Sequence, residues 1–196
     1  MILENFNLSA LTGKNRQVLF SDFSITVEAG KIYGFTGPTG TGKTSLFNYI
    51  AGLELDCSLS SSGLIKDRMT VSYCFQDFRL LPQLSVYENI RLAVKDDVQK
   101  VNIINKYLER LQLTEKKDIK AIHLSGGEMQ RCSFIRSLVF DSQLLLLDEP
   151  FSNQDEDKCW KIIEIIKEEA QKGRSIMIIS HQTKYLEGCG AIIHKL

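Results

Sequence analysis

The sequence predicts an α/β protein with a mostly parallel sheet, an antiparallel β portion near its N-terminus and a helical insert in its middle. Apolar strand patterns alternate with helical patterns over most of the chain, which is typical of parallel strands joined by helices. Between residues 78 and 124 this alternation gives way to apolar residues at helical spacing, namely Val101, Ile104, Leu108 and Leu111. We therefore expect one domain over residues 1–196, with a helical subdomain inserted at about 78–124.

The individual elements follow from the periodicity of the apolar residues. Residues 1–36 are expected as strands, because Phe23, Ile25 and Val27 alternate with polar neighbours. The serine-rich segment 53–67 is expected as a loop or a weak edge strand. The other expected elements are a helix at 45–51, a strand at 71–75, a helix at 128–140, a buried strand at 144–147, a helix at 157–171, a strand at 175–179 and a final strand at 191–193.

The composition is that of an ordinary globular protein and narrows the choice of partners. Hydrophobic residues make up 43% of the 196 positions, and 24 basic residues balance 24 acidic ones. A formal net charge of zero gives no whole-molecule reason to expect nucleic acid or an anionic membrane as a partner. Apolar runs such as 144–147 are far shorter than the ~20 residues that span a bilayer. If the protein acts at a membrane, we expect another chain to supply the membrane part.

The segment 37–44 matches the phosphate-binding loop pattern G-x-x-x-x-G-K-[ST] in full. An apolar strand precedes it and a helical pattern opening at Ser45 follows it, which disfavours a chance glycine turn. The glycines let backbone N–H groups turn towards phosphate oxygens, the lysine reaches the β- and γ-phosphates, and the last hydroxyl binds Mg²⁺. The pattern predicts a P-loop NTPase, and the candidate nucleotide-binding residues are Gly37, Pro38, Thr39, Gly40, Thr41, Gly42, Lys43, Thr44 and Ser45.

Two carboxylates follow the leucine run 144–147. A buried strand would deliver Asp148 to its C-terminal end, where the side chain can hold Mg²⁺ directly or through water. Glu149 would then orient and polarise an attacking water molecule as a general base. Taken alone, the same pattern also describes a core strand that ends in a solvated turn before Pro150, so its interpretation depends on the phosphate loop.

The segment 124–128, Leu-Ser-Gly-Gly-Glu, allows two interpretations. Ser125 followed by Glu128 is a helix capping box. Gly126 and Gly127 remain unexplained by it, since two glycines in a first helical turn indicate a close approach to the backbone. A bare helix N-terminus with a serine hydroxyl is also a phosphate site. One chain would then carry two γ-phosphate surfaces, which is explained if each ATP lies between two chains.

These three motifs, in this order and rough spacing, resemble the nucleotide-binding domain of ATP-binding-cassette (ABC) transporters. The resemblance implies an ATPase that uses ATP and Mg²⁺, pairs with a second cassette as a homodimer or heterodimer, and docks on a transmembrane permease subunit. It also implies a cytoplasmic protein, held peripherally at the inner face of the cell membrane by its permease. No nucleic acid is expected as a partner.

The same resemblance assigns two further residues. Gln76 falls at the family's Q-loop glutamine, which contacts Mg²⁺ and water, and His181 falls at its switch histidine, which contacts the γ-phosphate. The implied catalytic residues are Lys43, Gln76, Glu149 and His181, and the implied metal-binding residues are Thr44, Gln76 and Asp148.

The sequence departs from the family pattern at three places. Gln154 stands where a leucine usually precedes the aspartate of the D-loop. No aromatic residue lies between Leu8 and Leu19, where the family usually stacks adenine, so Leu11 is the candidate substitute. The chain ends soon after His181, and we expect no C-terminal regulatory domain.

The transported substrate is open at this stage. Sequences similar to residues 75–89 occur in importers of small organic solutes and in ATPases for lipoprotein or peptide export. Import is the favoured direction of transport. A soluble ABC ATPase acting on nucleic acid or in translation is the alternative class, disfavoured because no heptad run, second phosphate loop or basic stretch is present. Apolar residues at 78–87 are expected to form a groove for a helix of the permease, or else to pack inside the insert.

Overall fold

The computed structural model describes residues 3–12, 18–53, 59–61, 69–94 and 98–196. Within these ranges two β-sheets are combined with six α-helices and two short 3-10 helices. The elements are β1 Leu3–Thr12, β2 Val18–Val27, β3 Ile32–Thr36, α1 Lys43–Ile50, β4 Leu59–Ser61, β5 Val71–Cys74, α2 Val86–Arg91, α3 Val98–Arg110, the 3-10 helices Thr114–Lys116 and Ala121–His123, α4 Gly126–Val139, β6 Leu144–Asp148, α5 Glu156–Gln171, β7 Ser175–Ile179, α6 Thr183–Gly188 and β8 Ile192–Lys195.

The central sheet is parallel, as the alternation of strands and helices predicts. Its strand order is β5-β6-β7-β3-β8, and all four pairings are parallel. The carboxyl ends of these strands therefore meet at one edge of the sheet, where ligands bind in open α/β folds. The carboxyl end of β6 and the segments that follow β3, β5, β6 and β7 contain every sequence-predicted site residue except those at 125–127.

A second sheet near the N-terminus is antiparallel, which confirms that part of the predicted fold. β1 lies between β2 and β4 and pairs antiparallel with both. β4 is a three-residue edge strand inside the serine-rich segment, consistent with the expected weak edge strand. The rest of that segment, at 54–58 and 62–68, lies outside the described residues.

The leucine run of β6 separates two hydrophobic clusters. Successive strand residues point to opposite faces of a sheet. Leu144 and Leu146 accordingly pack with α1, whereas Leu145 and Leu147 pack with residues of α2 to α6. All four leucines are fully buried. Burial on both faces explains why this strand is uniformly apolar instead of alternating.

The middle of the chain is helical, and its elements pack against α4. The apolar residues Ile104, Leu108 and Leu111 of α3 are buried in the larger cluster, whereas Val101, the first of the four, is 38% exposed. α2 begins with a capping box formed by Ser85 and Glu88. That residues 78–124 form a subdomain of a single domain stays a prediction.

Two features near the C-terminus differ from the sequence expectation. α6 was not anticipated, because its six residues are too few to show a period and Gln182 before it provides no side-chain cap. β8 spans 192–195 instead of 191–193, a shift of the size usual for element ends. Each helix within the described ranges is too short or too polar to span a bilayer.

Arg174 ties the end of α4 to α5 and β7. Its guanidinium donates to the carbonyl oxygens of Leu138 at 2.9 Å and Phe140 at 2.8 Å, where α4 ends without a glycine. It also pairs with Glu169 of α5, with 3.3 Å between Nη1 and Oε2. Both members of the pair are buried, so removing one would leave the other charge poorly compensated inside the protein.

Replacing Arg174 should therefore destabilise the fold strongly. Arg174→Met should lower the free energy of unfolding by about 3 kcal/mol, because Glu169 keeps its buried charge without this partner. Lys172→Met is the matched control: Lys172 contacts the same carboxylate at 2.6 Å, but its side chain is 60% exposed. Its loss should stay below about 1 kcal/mol. Urea unfolding of both variants measures the difference, and equal losses would contradict this role of Arg174.

Candidate functional site

The loop between β3 and α1 forms an anion-binding helix N-terminus. Gly40 and Gly42 have φ angles of 86° and 88°, the left-handed region that glycine adopts without strain. Gly42 caps α1 but offers no side chain to its first N–H groups. These donors have no partner inside the helix, and the helix dipole makes its N-terminus attractive to anions. The loop therefore has the backbone geometry that a phosphate group requires.

Lys43 lies across this loop. Its side chain is buried, and its ammonium group donates to the carbonyl oxygens of Gly37 at 2.9 Å and Pro38 at 2.7 Å. A third, longer contact joins the ammonium group to the Thr41 hydroxyl at 3.3 Å. The loop thus holds a positive charge at its centre. Phosphate oxygens would replace the carbonyl and hydroxyl oxygens as hydrogen-bond acceptors of this ammonium group.

Thr44 and Asp148 meet beside the loop. The Thr44 hydroxyl donates to Asp148 Oδ2 at 2.9 Å, and the Tyr73 hydroxyl donates to the same oxygen at 3.4 Å. Burial raises the pKa of Asp148, and these two hydrogen bonds partly oppose that shift. Hydroxyl and carboxylate oxygens are the ligands that Mg²⁺ prefers, so this donor set fits the metal expected from the sequence.

Glu149 is held in a constrained position next to His181. Its φ angle is 52°, uncommon for a residue with a side chain. Its carboxylate accepts a hydrogen bond from the His181 backbone at 3.2 Å, and the His181 ring nitrogen Nε2 lies 3.5 Å from the same oxygen. Burial raises the pKa of Glu149 to about 7, and the negative charge of Asp148 makes a second, smaller contribution to this rise. A cation bound nearby would lower that pKa, because it favours the carboxylate.

These groups surround one cavity of about 280 Å³. The structure thereby brings together residues from four loops at the carboxyl edge of the parallel sheet. The sequence-predicted residues in its lining are Thr39, Gly40, Gly42, Lys43, Thr44, Ser45, Gln76, Asp148, Glu149 and His181, and Ile179 lines it as well. Ser125, Gly126 and Gly127 are not part of this lining, so the structure does not place them at the chain's own phosphate loop.

At the N-terminus of α4 the capping box predicted from the sequence is present. Ser125 Oγ accepts a hydrogen bond from the Glu128 backbone at 3.3 Å, and the Ser125 backbone donates to Glu128 Oε2 at 2.8 Å. Ser125 remains exposed while making these contacts. The cap therefore explains the serine and the glutamate, while Gly126 and Gly127 of the first turn are partly exposed to solvent.

The two glycines of this turn have different surroundings. A β-carbon built on Gly127 would lie 2.5 Å from the carbonyl oxygen of Asn153, far inside contact distance. A β-carbon on Gly126 would lie 3.8 Å from Asn153, which is ordinary contact. The close approach that the sequence indicates is thus made at Gly127 by the chain's own backbone, whereas intrachain packing does not require glycine at position 126.

Comparison with known protein families identifies the family of this chain. Residues 20–152 match the family model described as ABC transporter. The chain belongs to the ABC transporter family. Methionine import ATP-binding protein MetN 1 of Yersinia pestis bv. Antiqua is 33% identical over 187 residues, 87% of this chain and 54% of that protein. Cell division ATP-binding protein FtsE of Bacillus subtilis is 30% identical over 174 residues, 81% of this chain and 76% of that protein.

A solved ABC structure shares the fold. The dimeric ATP-binding cassette MJ0796, in a post-hydrolysis state bound to ADP and Pi, superposes with a TM-score of 0.83 at 19% sequence identity. The match covers 98% of this chain and 94% of that one. This likeness establishes the P-loop NTPase fold predicted from the sequence. The chain spans about half the length of the methionine-import relatives that it matches.

Three residues that contact either a residue of the cavity lining or the first turn of α4 were not identified as site residues from the sequence. Tyr73 contacts Asp148, as described above, and its place in an alternating strand gave no sign of that contact. Arg131 and Gln154 contact each other at 2.7 Å behind the first turn of α4. Gln154 was noted only as a departure from the family, and the residue pair is 23 positions apart, so no local pattern could reveal it. The side chain of Leu11, the candidate adenine contact, lies outside the described residues.

The two glycines of α4 allow a matched test of intrachain packing. Gly127→Ala should lower the free energy of unfolding by about 1–3 kcal/mol, because the new methyl group meets a backbone oxygen that cannot rotate away. Gly126→Ala should stay within about 1 kcal/mol of the parent, since its methyl group has space and alanine favours helices. Chemical unfolding of the two variants measures this contrast. Similar losses in both would contradict the packing constraint assigned to Gly127.

Proposed function

We propose that this chain binds MgATP, forms a sandwich with a second cassette around the nucleotide and hydrolyses ATP to power a membrane transporter. One observation carries the proposal: the Thr44–Asp148 and Glu149–His181 contacts lie in the same cavity as the phosphate loop. The family to which the chain belongs supports it. Residues 1–196 would act as one cassette domain, with the helical subdomain inserted at about 78–124.

Nucleotide binding would use the open turn of α1 and the charge of Lys43. The β- and γ-phosphates would accept hydrogen bonds from the backbone N–H groups at 40–45, and the lysine would balance their charge. Thr44, Asp148 and Gln76 are the residues that would hold Mg²⁺. When bound, Mg²⁺ supplies positive charge that stabilises the phosphate oxygens during transfer.

Hydrolysis would depend on Glu149 and His181. The Glu149 carboxylate would accept a proton from water as the water oxygen bonds to the γ-phosphorus and the bond to the bridging oxygen breaks. The His181 backbone already holds this carboxylate, and its 51% exposed side chain is accessible to the γ-phosphate. Two carboxylates would thus have separate tasks, Asp148 with the metal and Glu149 with water.

The second cassette would supply the exposed turn of α4. Because 125–127 lie outside the lining of their own chain's cavity, an isolated chain would leave one face of a bound nucleotide uncovered by this turn. The open first turn of α4 offers N–H groups and the helix dipole to a phosphate of the partner chain. A two-fold arrangement of two cassettes would complete both sites at once.

Two substitutions separate binding from hydrolysis. Lys43→Ala should lose ATP affinity by at least tenfold, because the buried positive charge between the phosphates is removed. Glu149→Gln should bind ATP like the parent and lose more than a hundredfold in turnover, since the amide cannot accept the proton. Calorimetry measures ATP affinity, phosphate release measures turnover, and gel filtration with MgATP measures dimerisation. In gel filtration Glu149→Gln should elute as an ATP-bound dimer. Parental turnover in Glu149→Gln would refute the general-base role.

An exposed apolar surface near Gln76 is the candidate permease contact. Leu81 is 50% exposed and Ile122 is 58% exposed, and their segments are joined by a hydrogen bond from the Ile122 backbone to Pro82 O at 3.1 Å. The fully buried Asn89 donates to Leu81 O and Leu84 O and accepts from the Leu81 backbone at 2.8 Å. The backbone of this loop is thus fixed from inside, while the side chains of Leu81 and Ile122 stay available to an amphipathic helix. Val86 is fully buried and Leu80 packs against the core, so these parts of the predicted groove belong to the interior.

Leu81→Asp tests this surface. The charge should abolish co-purification with the permease and leave the basal ATPase rate of the isolated chain within about twofold of the parent. Ile192→Asp is the matched control, because Ile192 is equally exposed at 51% but lies on β8, the opposite edge strand from β5. It should keep the permease. Loss of basal hydrolysis in Leu81→Asp, or loss of the permease in both variants, would place the interface elsewhere.

Import of a small solute is the favoured task within this function. The relative named for methionine import supports that direction, whereas the relative named for cell division shows that the sequence also resembles a cassette with a different name and role. Export of a lipoprotein or peptide is the second candidate for the same machinery. A role on nucleic acid is disfavoured by the zero net charge of the chain.

A further inference from the structure

The glutamine that departs from the family's D-loop pattern makes two hydrogen bonds to α4. Gln154 Oε1 accepts from Arg131 Nη1 at 2.7 Å, and Gln154 Nε2 donates to the carbonyl oxygen of Gly127 at 2.9 Å. A leucine at this position could make neither contact. The amide therefore joins the loop 152–155 to the glycine turn of α4 through one donor and one acceptor.

The loop that Gln154 fastens has a backbone conformation that needs support. Asn153 has a φ angle of 56°, and its carbonyl oxygen fills the space next to Gly127. Residues held in the left-handed region persist when the surrounding structure fixes them. Two hydrogen bonds from the next residue provide such a constraint, and they act on both sides of the contact between Asn153 and Gly127.

Arg131 depends on the same amide. The Arg131 side chain is 6% exposed, and its Nε has no hydrogen-bond partner in the described part of the chain. Burial lowers the pKa of Arg131, and the charges of Glu128 and Asp155 partly oppose the shift. Arginine nevertheless stays charged in proteins. Gln154 thus orients a buried positive charge close to the turn of α4, which does not line the chain's own cavity.

We propose that Gln154 is a positioning residue that fastens the loop 152–155 to the first turn of α4, so that both meet the second cassette as one rigid surface. This inference rests on the proposed two-chain site. It adds that the two segments are not independent contacts: a change at position 154 alters the turn at Gly127, although neither residue lines the cavity of its own chain.

Hydrogen exchange in the monomer tests the link itself. Gln154→Met keeps the side-chain length but has no amide, and Gln154→Glu keeps the shape but replaces the donor facing Gly127 O with an acceptor. Both variants should raise the exchange rates of the Met129 and Ser152 amides together by about tenfold; in the parent these amides donate to Ser125 O and Glu149 O. An increase at Ser152 alone, or at neither amide, would overturn the proposal.

Dimerisation tests the consequence. In the Glu149→Gln background with MgATP, Gln154→Met and Gln154→Glu should raise the protein concentration for half-dimerisation about tenfold, with monomer ATP affinity unchanged. Glu156→Gln is the matched control: Glu156 is exposed, contacts Lys184 at 3.1 Å and lies two residues away, so it should leave dimerisation unchanged. Dimerisation at the parental concentration in both Gln154 variants would overturn the proposal.

The two arms also separate this inference from the function on which it rests. If Glu149→Gln alone fails to dimerise with MgATP, the two-chain site is refuted. The exchange arm then still decides whether Gln154 fastens the loop to α4, because it is measured on the monomer. A lowered melting temperature with normal exchange at Met129 would indicate a general packing role and would also overturn the proposal.

Discussion

The Thr44–Asp148 hydrogen bond joins the two halves of the candidate site across 104 residues of sequence. It forms because β3 and β6 are parallel strands of one sheet, separated only by β7, so that their carboxyl ends lie at the same edge. The four buried leucines of β6 hold that strand between hydrophobic clusters on both faces of the sheet. Because burial on both faces fixes the strand, the position of Asp148 relative to the phosphate loop depends on the core as a whole.

Helix α4 connects the remaining parts of the site. Its first turn carries Gly126 and Gly127, and further along it Arg136 donates to the carbonyl oxygens of Phe78 and Arg79, both at 2.7 Å. Those two residues have φ angles of 60° and 44°, so the turn after Gln76 is a strained one held from outside. A rigid helix thus lies between the surface proposed to meet a second cassette and the loop proposed to meet a permease. A movement of α4 would therefore displace both the surface proposed to meet a second cassette and the loop proposed to meet a permease.

The two glycines in the first turn of α4 meet different structural requirements. Gly127 is enclosed by the backbone of Asn153, whereas Gly126 has room for a side chain. A capping box, an intrachain contact and an open helix N-terminus therefore coexist within four residues. None of these features excludes another, because the cap occupies the backbone N–H groups of Ser125 and Glu128. The contact uses the α-carbon of Gly127, and the open turn uses the N–H groups of Gly126 and Gly127, which have no partner inside the helix.

Local patterns in the sequence determined the parallel α/β fold, the phosphate loop and the capping box, because each depends on residues a few positions apart. The family resemblance added Gln76 and His181, and both line the cavity formed by the phosphate loop. Tertiary structure alone decided which glycine is enclosed, that Tyr73 contacts Asp148, and that Gln154 joins Arg131 to Gly127. These contacts link residues that are 23 or more positions apart in the sequence. Their geometry follows from how α4 packs on the sheet, which no local period in the sequence records.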